Sequence, residues 1–238
     1  MKYKAIFFDW DDTIGDWIHS AYQAQQDLYE QYRLSEFFDS FEEYFSAYEV
    51  HNIELWQQYG LGQITKQFLH RDRFLQPIVN KLGGGAMLYN SPRLIDLADR
   101  IGADFLILTN KYFALLPDAA EVVKTLAAHY PLTIISNGFG EVQHYKLEHS
   151  GLKPYFRHFI ISEEVGINKP QPGIYEEALR RNGVQPEEAV MVGDSYNSDI
   201  AGAKAAGIDQ IWITQDPGEN TATYIIKDIK EALDILTI

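Results

Sequence analysis

Three carboxylates and a hydroxyl, Asp9, Asp11, Asp12 and Thr13, follow directly on the apolar run Ala5 to Phe8. Alone, such a cluster reads as a solvated turn after an edge strand. Three further polar clusters change the weighing. Ser136, Asn137 and Gly138 follow the apolar pair Ile134 and Ile135. Lys169 lies in the loop after Phe159 to Ile161, and Gly193, Asp194, Ser195 and Asp199 follow Val190 to Val192. Asp9, Asp11, Asp194 and Asp199 gathered at one sheet edge would repel one another, and the repulsion must be relieved by protonation or by cations. Lys169 supplies one positive charge. A hard dication held by carboxylate, carbonyl and water oxygens, magnesium above all, would supply the rest. Such a site attracts phosphate, and Ser136 with the amides of Asn137 and Gly138 offers neutral donors for the phosphate oxygens.

For these clusters to meet, the chain needs a parallel sheet, because ligands of open α/β sheets bind beyond the carboxyl ends of the strands. Lys4 to Phe8 reads as a short buried strand. From about Asp16 to Tyr89 the texture is aromatic and helical in period. Phe37, Phe41, Tyr44, Phe45 and Tyr48 recur at spacings of three and four and read as the core of a helical insert. Ser91-Pro92 caps and starts a helix whose stripe is Leu94, Ile95, Leu97, Ala98 and Ile101. The run Leu106 to Asn110 imitates a strand ending in a hydroxyl. Gly138 after Ser136, and the spacing from Ser136 to Lys169, assign that place to Ser136 and leave 104–110 to the helix.

After Pro117 helix and strand alternate. Helices over 118–128, 141–149, 173–181 and 198–205 precede strands over 132–135, 159–161, 189–192 and 210–213, with Gly151, Gly183 and Gly207 as stops and a last helix over 228–236. The expected fold class is therefore α/β, a Rossmann-like parallel-sheet core with helices on both faces, formed by 1–15 and 109–238. An inserted all-α domain over 16–108 interrupts it.

Composition narrows the function classes. The 238 residues are 46% hydrophobic, enough for a full core, and 34 acidic against 20 basic side chains give a net charge of −14. That balance disfavours nucleic acid and anionic membranes as partners. The absence of cysteine excludes disulfides, thiol nucleophiles and cysteine-type zinc sites. The short apolar run near Met1 does not make a signal peptide and no stretch is apolar enough to span a bilayer, so a cytoplasmic protein is expected. The oligomeric state is not readable.

At its four clusters the chain resembles the haloacid dehalogenase superfamily of phosphohydrolases. The match runs through Asp9, Asp11 and Thr13, then Ser136, then Lys169 followed by Pro170, then Gly193-Asp194 with Asp199. The helical insert after the first motif is similar to the helical cap of one subclass, in which the cap selects the leaving group. Ser136 to Phe139, Gln143, Gly151-Leu152, Phe156, Ser162 to Gly166 and Lys169-Pro170 look like the bacterial pyrimidine 5′-nucleotidases and the related N-acylneuraminate-9-phosphatases. Asp12 replaces the commoner glycine of the first motif, and Lys146 stands where arginine is expected.

The resemblance implies a phosphomonoester hydrolase. Asp9 would be the nucleophile and Asp11 the acid and base, suited to that role by neighbouring carboxylates. Thr13, Ser136, Asn137, Gly138 and Lys169 would hold the loop and the phosphate. Asp9, the Asp11 main-chain carbonyl and Asp194 would hold Mg2+, with Asp199 behind them. The partner would be a small phosphorylated molecule, a (deoxy)pyrimidine nucleoside monophosphate by this likeness. A sugar-phosphate phosphatase, a phosphomutase using the same residues and a non-catalytic phosphate-binding module remain as alternatives. Trp10 has no role assigned from sequence.

Overall fold

The computed structural model describes residues 2–236. The chain forms two compact units, one of residues 1–17 with 113–238 and one of residues 18–112. The elements are, in order, β1 (Ala5–Phe8), α1 (Trp17–Gln31), α2 (Phe41–Gly60), α3 (Lys66–Lys81), α4 (Ala86–Tyr89), α5 (Pro92–Lys111) and α6 (Ala119–Ala127). There follow β2 (Leu132–Ser136), α7 (Gly140–His149), β3 (Phe156–Ile161), α8 (Ser162–Val165), α9 (Pro172–Asn182) and β4 (Ala189–Gly193). The chain ends with α10 (Ala201–Ala205), β5 (Asp209–Ile213), β6 (Tyr224–Ile226) and α11 (Ala232–Leu236).

The first unit is built on a six-stranded sheet in the order β3-β2-β1-β4-β5-β6, every neighbouring pair parallel. Strand period divides its residues between two faces. Ile6, Phe8, Leu132, Ile134, Val190 and Val192 pack with α6 and α11 on one side. Ala5, Phe7, Ile135, Ala189 and Met191 pack with α9 and α10 on the other. With both faces covered, the strands read as continuous apolar runs. The chain leaves β1 toward β2 and β3, then returns to β4 on the opposite side of β1. That reversal is the switch point where an open α/β sheet opens a crevice.

The second unit contains no strand among the described residues. Tyr44 and Tyr48 are buried, and Tyr48 stacks on Phe74 at 5.3 Å with Phe105 at 6.1 Å. Phe41 and Phe45 are half-buried and meet Tyr22 edge-on at 5.4 and 5.1 Å. The aromatic stripe is thus largely this unit's own core. α5 buries Leu94, Ala98, Ile101 and Phe105, four residues at helical spacing, and carries 106–110 as helix. No helix among the described residues is long and apolar enough to cross a membrane.

Several details differ from the sequence expectation. β1 starts at Ala5 and β3 three residues before Phe159. The helix expected over 198–205 opens as a π turn, Tyr196–Ile200, before α10. The last helix is split into a 3₁₀ turn, Ile229–Glu231, and α11. β6 was not foreseen, because three residues at a sheet edge carry no measurable period.

Candidate active site

Asp9 extends β1 by one residue, its N–H donating to the Val192 carbonyl at 2.9 Å. The chain then turns sharply. The N–H groups of Ile14 and Gly15 both reach the Trp10 carbonyl at 2.9 and 2.8 Å, and the Asp12 N–H reaches the Gly15 carbonyl at 2.7 Å. Asp12 takes φ +57° to close this loop. Left-handed backbone costs most L-residues about 1–2 kcal/mol but is visited by glycine and, through local hydrogen bonding, by Asp and Asn. The position that seemed a departure from glycine is therefore one that aspartate can fill. Trp10 is buried, stacked on Phe113 at 6.4 Å and edge-on to Phe156 at 6.3 Å, so it packs the loop onto the core.

Lys169 is the hub of the site. Its Nζ lies 2.5 Å from Asp9 Oδ1 and 2.7 Å from Asp199 Oδ1, with the lysine fully buried between them. The Asn137 side chain positions the lysine's loop, Nδ2 donating to the Lys169 carbonyl and Oδ1 accepting its N–H, both at 2.8 Å. Asp199 rides on the π turn after β4, where its Oδ2 accepts the Ser195 N–H at 3.1 Å and its Oδ1 accepts the Ser198 hydroxyl at 3.3 Å. A Cβ on residue 193 would stand 2.4 Å from Asp199 Oδ2, so glycine is required there. The Thr13 hydroxyl donates to Asp194 Oδ1 at 3.3 Å and ties the first loop to the fourth cluster.

Asp9, Asp194 and Asp199 each bring a carboxylate oxygen to within 4.8 Å of the others. Burial pushes Asp9 up to about 7, against the opposing charge of Lys169 and with the help of Asp199 and Asp11. Burial, then Asp199, Asp9 and Asp12, push Asp194 up to about 9. Burial would depress the Lys169 ammonium, but Asp199 and Asp9 outweigh it and hold its pKa above the ordinary lysine value. Three carboxylates facing one ammonium are under-compensated. An all-oxygen donor set in that state suits a hard dication such as Mg2+.

Asp11 stands apart. Its carboxylate is not a member of the close trio. Its Oδ1 lies 2.6 Å from Lys146 Nζ and its Oδ2 accepts from Gln143 Nε2 at 2.8 Å. Its hydrogen-bond partners are an ammonium and an amide, while its charge still acts on the neighbouring Asp9. Gln143 and Lys146, both on α7, were not foreseen as site residues. Their separation of three, which places both on one helix face, and the Lys146 substitution were the available signals. Ser136 is buried at the end of β2, and its Oγ accepts the Gly138 N–H at 3.0 Å, so that amide, expected to face phosphate, is engaged by the hydroxyl.

The haloacid dehalogenase-like hydrolase profile matches residues 3–207. Pyrimidine 5′-nucleotidase YjjG of Escherichia coli is 28% identical over 99% of both chains. A glyceraldehyde 3-phosphate phosphatase of Methanothermobacter thermautotrophicus is 38% identical over 99% of this chain and 95% of its own. The crystal structure of the HAD-hydrolase YfnB of Bacillus subtilis bound to magnesium superposes with a TM-score of 0.83 at 25% identity, covering all of both chains.

Proposed function

The chain belongs to the haloacid dehalogenase-like hydrolase family, and from that premise we propose that it is a magnesium-dependent phosphomonoester hydrolase acting through an aspartyl-phosphate on pyrimidine nucleoside 5′-monophosphates. That it is a hydrolase of the phosphatase type follows from the family and its named relatives. The observation that carries the finer reading is the Asp9–Lys169 pair at the end of β1, set beside Asp194 and Asp199.

In this reading the Asp9 carboxylate attacks phosphorus in line with the departing oxygen. The P–O bond to the leaving group breaks as the Asp9–P bond forms, and Asp11 gives its proton to the leaving oxygen. Asp11 then takes a proton from water, whose oxygen attacks the aspartyl-phosphate, returning Asp9 and releasing phosphate. Lys169 opposes the effect of burial on Asp9 and so favours the ionised nucleophile. Held by Asp9, the Asp11 main-chain carbonyl and Asp194, with Asp199 behind, magnesium would supply positive charge to the phosphoryl oxygens.

The nucleotide as substrate rests on the full-length likeness to YjjG and to pyrimidine 5′-nucleotidase PynA of Streptococcus pneumoniae, 29% identical over 99% of this chain. A second reading, a short sugar phosphate, is favoured by the higher identity to the glyceraldehyde 3-phosphate phosphatase. Phosphate release with Mg2+ from UMP, dUMP, dTMP, glyceraldehyde 3-phosphate and N-acylneuraminate 9-phosphate decides between them. The nucleotides are expected to give the highest kcat/KM, and a dominant rate on glyceraldehyde 3-phosphate would transfer the assignment to the second reading. Substantial turnover by Asp9→Asn would sink the aspartyl-phosphate route.

A further inference from the structure

Lys146 is a buried lysine whose carboxylate partner among the described residues is Asp11. Its side chain is 2% exposed, while that of Asp11, 2.6 Å away, is 27% exposed. Burying an ammonium is unfavourable unless it is paired, and an apolar side chain of similar volume would serve α7 packing as well. The ammonium is also held from another direction, lying 4.1 Å from the centroid of the Trp17 ring, a cation–π distance that fixes the end of a flexible side chain. Gln143 completes a two-sided grip by donating to the other oxygen of Asp11. To reach it the Gln143 side chain passes through the space beside Gly138, where a Cβ would lie 1.8 Å from Nε2. Gln143 and Lys146 thus meet on one carboxylate, Gly138 leaving room for the first and Trp17 touching the second, and that carboxylate is not a member of the Asp9–Asp194–Asp199 trio.

We infer that Lys146 and Gln143 are positioning residues that hold the Asp11 side chain in the orientation from which it serves the leaving oxygen. This rests on the reading of Asp11 as the acid given above. An unrestrained Asp11 carboxylate has several rotamers, and general acid catalysis needs the donor within hydrogen-bond reach of the atom it protonates. Two donors, one on each oxygen, select one orientation and leave the main-chain carbonyl of Asp11 undisturbed.

The effect has a signature that simple loss of structure lacks. An alkyl leaving group, such as the 5′-oxygen of a nucleoside, departs as an alkoxide unless it is protonated, whereas p-nitrophenolate is a stable anion that needs no proton. With Mg2+ present, Lys146→Met and Gln143→Leu are expected to lower the first-turnover rate of uridine release from UMP by about 10- to 100-fold, a part of the 10²–10⁴ available to general acid catalysis. First-turnover release of p-nitrophenolate, which precedes the water step that Asp11 also serves, should change by less than about threefold, which also reports that the variants are folded. Lys146→Arg, which keeps the cation, should recover most of the rate on UMP. The parallel control is Asp11→Asn. If it slows first-turnover release of the leaving group from both substrates alike, the acid role itself fails. If Asp11→Asn is selective for UMP while Lys146→Met and Gln143→Leu affect both substrates equally or neither, the positioning role is overturned and the acid role stands.

Discussion

Lys169 Nζ sits 2.5 Å from Asp9 Oδ1 and 2.7 Å from Asp199 Oδ1, so that one ammonium is shared between a residue that ends β1 and a residue on the turn after β4. All three groups are buried. Removing one partner of a buried pair leaves the other charge uncompensated, at a cost of about 3–5 kcal/mol. Lys169→Met should therefore lower metal-free stability by about 3 kcal/mol in urea unfolding and lower phosphate release by about 100-fold or more. A variant of unchanged midpoint would mean that the lysine does not carry this load.

The raised carboxylates make a pH prediction with a definite sign. A carboxyl whose folded pKa lies above its unfolded value binds more protons in the folded state, so stability falls as pH rises between the two values. For Asp9 and Asp194 that window runs from about 4, the unfolded carboxylate range, through about 7 and about 9. Without metal, unfolding free energy should decline from pH 5 to pH 9, and Mg2+ should flatten the decline. Asp194→Asn should flatten it without metal. Urea titrations in EDTA and in Mg2+ at both pH values test this, and a metal-free stability that rises with pH would contradict it.

Gly138 and Gln143 should be energetically coupled. A methyl at 138 collides with the Gln143 amide at 1.8 Å. Gly138→Ala should displace Gln143 from Asp11 and destabilise the fold by about 1–3 kcal/mol, the usual range for overpacking. Gln143→Ala in the same chain should relieve much of that. A double-mutant cycle on unfolding free energies reads the coupling directly, and strict additivity would show that the side chain moves aside without cost.

Asp12 should tolerate glycine and reject a β-branched residue. At φ +57° a glycine pays no steric penalty, and Asp12→Gly is expected to stay within about 1 kcal/mol of the parent. Asp12→Val should lose about 2 kcal/mol or more in thermal or urea unfolding, since branching at Cβ makes that backbone region an outlier. Equal stability of the two variants would mean that the loop relaxes to another conformation.

Much of the architecture was legible from local pattern. Helical runs stopped by Gly151, Gly183 and Gly207 marked the alternation of helix and strand, and three of the four polar clusters stood where a strand had to end, with Lys169 in the loop that follows another. The run Leu106 to Asn110 could have been strand or helix, and it lies in the C-terminal part of α5, continuous with the buried stripe from Leu94 to Phe105. β6 and the π turn at Tyr196–Ile200 escaped detection because they are too short for a period to declare itself.

The chain's own letters determined which groups could do chemistry, because residue type sets charge and donor capacity and because strands of a parallel sheet present their carboxyl ends on one side. Tertiary structure alone decided the partners. The sequence contains Lys146 and Lys169 and several aspartates at strand ends, but nothing in the spacing assigns one lysine to Asp11 and the other to Asp9 and Asp199. That choice depends on the direction each side chain takes from its helix or loop and on which strand lies beside β1. Strand order, sheet twist and side-chain rotamers set those directions, and each of them is a property of the whole packed sheet.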